Sequence, residues 1–137
     1  MAQSKDVKAF KNELRNYTYN CYRIETLQNS IDFCYHRLGA DARAIDYSKE
    51  PNHSTPNKEL EYKLRDDIEY YSHLQAQFQA KVDYVDLILA NIEEETRNAI
   101  KSVYIEGKQM RLICSRMYLS LGALQKRINK AIERALK

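Results

Sequence analysis

The sequence has no tryptophan, only three glycines and two prolines in 137 residues, and no apolar run near the ~18 residues of a membrane span. Each shortage excludes something. Scarce Gly and Pro remove the punctuation that sheets, hairpins and frequent turns require, so long helices are expected. The opening MAQSKDVKAF lacks the basic and then apolar layout of a signal peptide. With no span, the expectation is a cytoplasmic chain without a membrane partner. Cys21, Cys34 and Cys114 are odd in number and scattered, which suits packed free thiols in a reducing compartment better than a disulfide framework.

Catalytic parts are equally scarce. Cys34 and His36 are two apart, His53 and His73 are distant, and no pair has zinc-ligand spacing. Asp66 and Asp67 are neighbours in sequence, so on a helix they diverge by about 100° and form no acid dyad. The run Glu93, Glu94, Glu95 is most simply favourable charge at a helix N-terminus. No glycine-rich phosphate loop occurs. No catalytic residue, metal site or cofactor is expected, and the chain is not read as an enzyme.

What is present is charge, unevenly placed. Residues are 30 % charged and 44 % apolar, enough for a core. From Lys101 to Lys137 nine Lys/Arg face two acids, Glu106 and Glu133, giving +7; with a net charge of +3, the first hundred residues carry 3 − 7 = −4. A basic end on an acidic body fits a head that meets a polyanion, and equally a solvated basic tail.

Periodicity organises the rest. From Lys5 to Leu38 one continuous helix is expected. Val7, Leu14, Cys21, Gln28 and Tyr35 repeat at sevens, interleaved with Phe10, Tyr17, Ile24, Ile31 and Leu38. Gln28 is the one strongly polar seam position, where a flexible amide can reach water from the edge. Gly39 should end this helix. A crossover loop over 39–56 holds both prolines, and Thr55 with Pro56 has the form of a helix start. A second helix, Pro56 to Leu89, carries Leu60, Leu64, Ile68, Tyr71, Leu74, Phe78, Val82, Val85 and Leu89 at steps of three and four. Both helices would be roughly 50 Å long, so an antiparallel hairpin over 1–90 follows, completed by a second chain as a dimer. Most of the eleven tyrosines should pack on its seams or loop edges.

Asn91 and Glu94 have capping-box spacing, marking a new helix start or kink. In 91–137 three helices can be drawn: Glu93 to Ile105, a turn at Gly107, Gln109 to Met117, then Leu121 to Leu136 capped by Ser120. The last points Leu124, Ile128, Ala131, Ile132 and Ala135 inward, leaving Gly122, Gln125, Lys126, Asn129 and Lys130 outward. A short helix, a turn and a longer helix make the arrangement of a helix-turn-helix, whose third helix enters the major groove. Gln125 and Asn129 could bond adenine edges and Lys126 and Lys130 guanine, with Lys108, Arg111, Arg116 and Arg127 at phosphates and Ser120 completing the DNA-binding set. A solvated basic face on a packing helix is the competing account.

The stretch IEEETRNAIKSVYIEGKQMRLICSRMYLSLGALQKRINKAIERALK resembles region 4 of sigma-70-type factors. Tyr104, Glu106, Gly107, Gln109, Ile113, Cys114, Met117, Leu119, Ser120, Leu124, Arg127, Ile128, Ala131, Ile132 and Leu136 carry the likeness, over about the last third of the chain. The loop AIDYSKEPNHSTPN between two long helices is similar to that of small phage proteins related to the ArpU- and RinA-type late-gene regulators. The resemblance implies an all-α, DNA-binding regulator of phage or prophage type, with duplex DNA as partner and host RNA polymerase as a second. Tyr118 departs from the family's usual turn Gly, Gly122 removes a contact side chain, and Arg111 and Arg116 make the short helix basic where it is often acidic. Those departures suit two alternatives: a protein-binding adaptor or inhibitor of a host nucleic-acid machine, and a small terminase-like packaging subunit.

Overall fold

The computed structural model describes residues 4–47 and 58–137, with the side chains of 40–47 left aside, and contains no strand among them. The protein is all-α. Its helices are α1 (Lys5–Arg15), α2 (Tyr17–Tyr47), α3 (Lys58–Ala90), α4 (Glu94–Ile100), α5 (Met110–Met117) and α6 (Leu121–Ala135), with a π-helical turn, Lys101–Ile105, continuing α4. No helix is long and apolar enough to cross a membrane among the described residues.

The helix expected from Lys5 to Leu38 is divided at Asn16, although the Asn16 and Asn20 N–H groups still donate to the Asn12 and Asn16 carbonyls. Ser4 caps α1 by accepting from the Val7 N–H at 3.2 Å. Gly39 does not end α2, which runs on to Tyr47. A single helical Gly costs about 1 kcal/mol, and the Ala-rich ADARAID that follows favours helix enough to offset it. The loop expected over 39–56 is thus helical as far as Tyr47, and the rest of it, with the Thr55–Pro56 start, lies outside the described residues.

The chain divides into two compact units, Met1–Asn20 with Ala80–Lys137, and Cys21–Gln79. Both divisions fall inside long helices, so the head expected to begin at 91 also takes in α1 and the end of α3. Its core joins Val7, Phe10 and Leu14 of α1 to Val85, Ile88 and Leu89 of α3, with Ile92, Ile100, Ile113, Leu124, Ile128 and Ile132 following. Tyr17 Oη donates to Asp86 at 2.8 Å, and the Phe10 and Tyr84 rings meet edge to face.

In the unit of 21–79 the two helices run antiparallel. Gln75 Nε2 donates to the Ile24 carbonyl at 3.1 Å and to Gln28 Oε1 at 3.0 Å, and the Arg23 guanidinium lies over the Phe78 ring. Its seam departs from the expected one. Gln28 and Tyr35 are exposed, while their neighbours Leu27 and Cys34 are buried with Ile31. The helix turns by about one residue so that the apolar side chains face inward. Of the ten tyrosines whose side chains are described, Tyr19, Tyr22, Tyr35, Tyr62, Tyr70, Tyr84 and Tyr118 are exposed, which corrects the expectation that most tyrosines pack on the seams or loop edges.

Candidate nucleic-acid interface

Helix α4 begins after a turn over 91–93, but Asn91 does not cap it. The residue at the cap is Glu93, Asn91 is exposed, and its N–H donates to the Ile88 carbonyl. Thr96, 3 % exposed, donates to Glu93 Oε1 at 3.0 Å. The π-helical turn inserts one residue into the helix, seen in the Glu106 N–H bond to the Lys101 carbonyl at 2.9 Å. Gly107 then turns the chain with φ +76°, which only glycine adopts at little cost.

Helix α5 sets Ile113 and Cys114 into the core and leaves Arg111, Leu112 and Arg116 exposed. It ends where the Tyr118 and Leu119 N–H groups both donate to the Cys114 carbonyl. That closure needs a left-handed residue, normally Gly, and Tyr118 supplies it with φ 57° while standing 94 % exposed. Ser120 caps α6 by accepting from the Ala123 N–H at 3.1 Å.

Three neighbours hold α6: α1, α4 and α5. Leu124, Ile128 and Ile132 are fully buried against them. The residues expected on its outer face separate into two groups. Gln125, Lys126 and Lys130 are exposed, with no side-chain hydrogen bond or ion pair among the described residues. Asn129 is half-buried on the α1 side, where its Oδ1 accepts from Lys11 Nζ at 2.5 Å. Arg127 turns to the α4 side. Its Nε donates to Thr96 Oγ1 at 2.9 Å, one terminal nitrogen binds Glu93, and Glu95 lies 3.4 Å away. Lys108 pairs with Glu106 at 3.1 Å, and Arg111 and Arg116 have no ion-pair partner among the described residues.

Arg134 and Lys137, absent from the sequence-level set, join Lys126 and Lys130 on the exposed side. Their steps of four, four and three residues were a signal in plain view. Beside this stripe opens a cleft of about 300 Å³, lined by Asn91, Glu93, Thr96, Arg127, Lys130 and Arg134.

The charges that hold α6 are perturbed. Bonds from Arg127 and Thr96 hold the Glu93 carboxyl below its ordinary range, and Glu93 in turn raises Arg127. Lys11, 4 % exposed, is pushed down by burial and then by Arg15. Its ammonium and the Arg15 guanidinium lie 5.3 and 5.5 Å from the centre of the Tyr104 ring. Burial raises the Tyr104 phenol, with Arg15 acting in the opposite sense.

No group of three or more His, Cys, Asp or Glu side chains could hold a metal ion among the described residues. No family model matches the chain, and no curated protein or solved structure matches it either.

Proposed function

We propose that α5, the turn over 118–120 and α6 form a helix-turn-helix that binds duplex DNA, in a transcriptional regulator of the phage or prophage type. The observation that carries this reading is the stripe of exposed cations without ion-pair partners among the described residues, Lys126, Lys130 and Arg134, on a helix whose other sides are packed. Exposed cations on a rigid helix are what a polyanion requires, because neutralising phosphates releases counterions. Arg111 and Arg116 on α5 would add phosphate contacts beside it, and Gln125 an amide at the groove. The helices of 21–79, with their exposed aromatic side chains, would form a coiled-coil contact with a second copy and so bring two basic heads to one duplex.

A mobility-shift measurement with genomic fragments at low salt tests this. Retarded complexes that dissolve as salt rises, and weaken with Lys126→Ala and Lys130→Ala together, are expected. No shift with any fragment would rule the reading out. The exposed Tyr22, Phe33, Tyr35, Tyr62 and Tyr70 favour a second reading, an adaptor that holds a protein partner. Stoichiometric retention of one host protein from nuclease-treated lysate, together with no DNA binding, would establish it instead.

A further inference from the structure

We infer that α6 contacts the sugar-phosphate backbone and does not choose base sequence, its outward side chains acting as a rail of point charges; this rests on the DNA-binding reading above. Sequence is read by side chains that bond base edges with paired groups, while phosphate contacts position a protein without specifying sequence. Besides Gln125, and Arg134 in its last turn, away from the N-terminal residues that reach base edges in a helix-turn-helix, α6 carries two residues well suited to paired base contacts. The fold uses both.

Arg127 is the natural partner for a guanine edge, but its guanidinium already spans Thr96 and Glu93. Swinging it outward would abandon a carboxylate and strip the 3 % exposed Thr96 of its donor. Asn129 would read adenine by accepting through Oδ1 and donating through its amide nitrogen. That oxygen accepts from Lys11, a cation 4 % exposed whose other contacts are the Tyr104 ring and the like charge of Arg15. Withdrawing Asn129 would leave a buried ammonium without an acceptor, so the pairing that adenine needs is unavailable at this position.

What remains outward is Lys126, Lys130 and Arg134, all exposed, with no partner among the described residues. At four residues apart they stand about 6 Å from one another along the helix. Ahead of them Gly122 and Ala123 present no polar side chain, and Glu133 is the one acid of the helix. Gln125, near the start of α6, is the single exposed amide on this face. Such a face can follow phosphates along a strand; Lys126 and Lys130, which could also reach guanine, are flexible point charges that meet a phosphate as readily as a base edge.

The test uses the full-length protein with duplexes of equal length: two unrelated sequences and a random pool carried through repeated selection. Affinities by fluorescence anisotropy are expected to agree within about threefold across sequences, and selection should return no consensus. The slope of log K against log salt should shallow by roughly 0.9 for each of Lys126→Ala, Lys130→Ala and Arg134→Ala, and by roughly 2.7 for the three together. All three side chains are exposed, and unchanged helicity and melting of each variant will show that the fold is intact. A selected consensus bound about a hundredfold more tightly than shuffled DNA would overturn the inference while leaving DNA binding standing. Slopes that ignore the three substitutions would overturn it as well. Failure to bind any duplex at low salt defeats the DNA-binding reading, and this inference with it.

Discussion

Phe10, Leu14, Val85, Ile100, Leu124, Ile128 and Ile132, the largest fully buried side chains, all belong to the unit formed by 1–20 and 80–137. Among its described residues the unit of 21–79 buries only Leu27, Ile31, Cys34 and Leu64, each 3–5 % exposed, and leaves Phe33 and four tyrosines more than half exposed, while the larger unit leaves Tyr19, Leu87, Leu112 and Tyr118 so. Both are made from helices, but the short helices of the larger unit gather their apolar residues on one face more sharply than α2 and α3 do. A second difference is in the number of neighbours. Where α1, α3, α4, α5 and α6 converge, every apolar stripe finds several partners. Two antiparallel helices alone offer each stripe one partner and leave the flanks in water. Stability is therefore concentrated where the cation stripe is mounted, and the 21–79 helices leave aromatic surface exposed.

The comparison is broken most directly by equal truncations in the two units. Ile128→Ala should cost about 3–4 kcal/mol, because its cavity opens among packed elements that cannot collapse. Leu64→Ala should cost about 2 kcal/mol or less, since water and the flanking helix surfaces reach the site. Urea midpoints with unchanged m-values would measure both. Equal losses would mean that the two units are equally packed and that the contrast drawn above is wrong.

A smaller effect concerns the ties of α6 to α4. Thr96→Val keeps the shape of a buried residue and removes the hydroxyl that accepts from Arg127, so a loss of about 1–2 kcal/mol is expected. The same cluster gives the head a dependence on acid. The folded pKa of Glu93 lies below its ordinary value of 4.5, so the unfolded chain takes up the proton first as pH falls. The contribution of Glu93 is complete above that ordinary value and is lost as pH drops through the lower, folded one. Melting temperatures followed downward from pH 5 should fall less steeply for Glu93→Gln than for the parent. A parallel fall in both would remove Glu93 from the account.

Much of this architecture was legible from residue spacing. Apolar steps of three and four located α3, α5 and α6, and Gly107 and Ser120 marked the turn and the cap that the structure contains. Misses arose where a tertiary partner decided the outcome. Position 28 shares the heptad phase, yet Leu27 beside it is the better core residue, and a rotation of part of a turn settles the choice. Asn91 has cap chemistry, but the helix starts two residues later, where Thr96 bonds Glu93. Nothing in local pattern reveals that Lys11 will reach Asn129 across 118 residues, or that Arg127 will be held by Thr96 and Glu93. Those pairings separate the outward side chains of α6 from those that hold it, and helical periodicity alone treats both sets alike.

The smallest effect has the opposite sign and concerns Tyr118. Its left-handed backbone costs a non-glycine residue roughly 1–2 kcal/mol. At 94 % exposure, its ring has almost no packing to lose. Glycine would relieve that strain but brings about 0.5–1 kcal/mol of extra chain entropy to the unfolded state. Tyr118→Gly should therefore raise stability by about 0.5–1 kcal/mol, read as a higher melting temperature of the head. Tyr118→Val should lower it, because a β-branched side chain tolerates this conformation least. If glycine instead destabilises the protein, the ring is contributing more than its exposure indicates. If glycine stabilises the protein while DNA affinity falls, the strained tyrosine is retained for contact with the ligand, and the turn joins α6 as part of the interface.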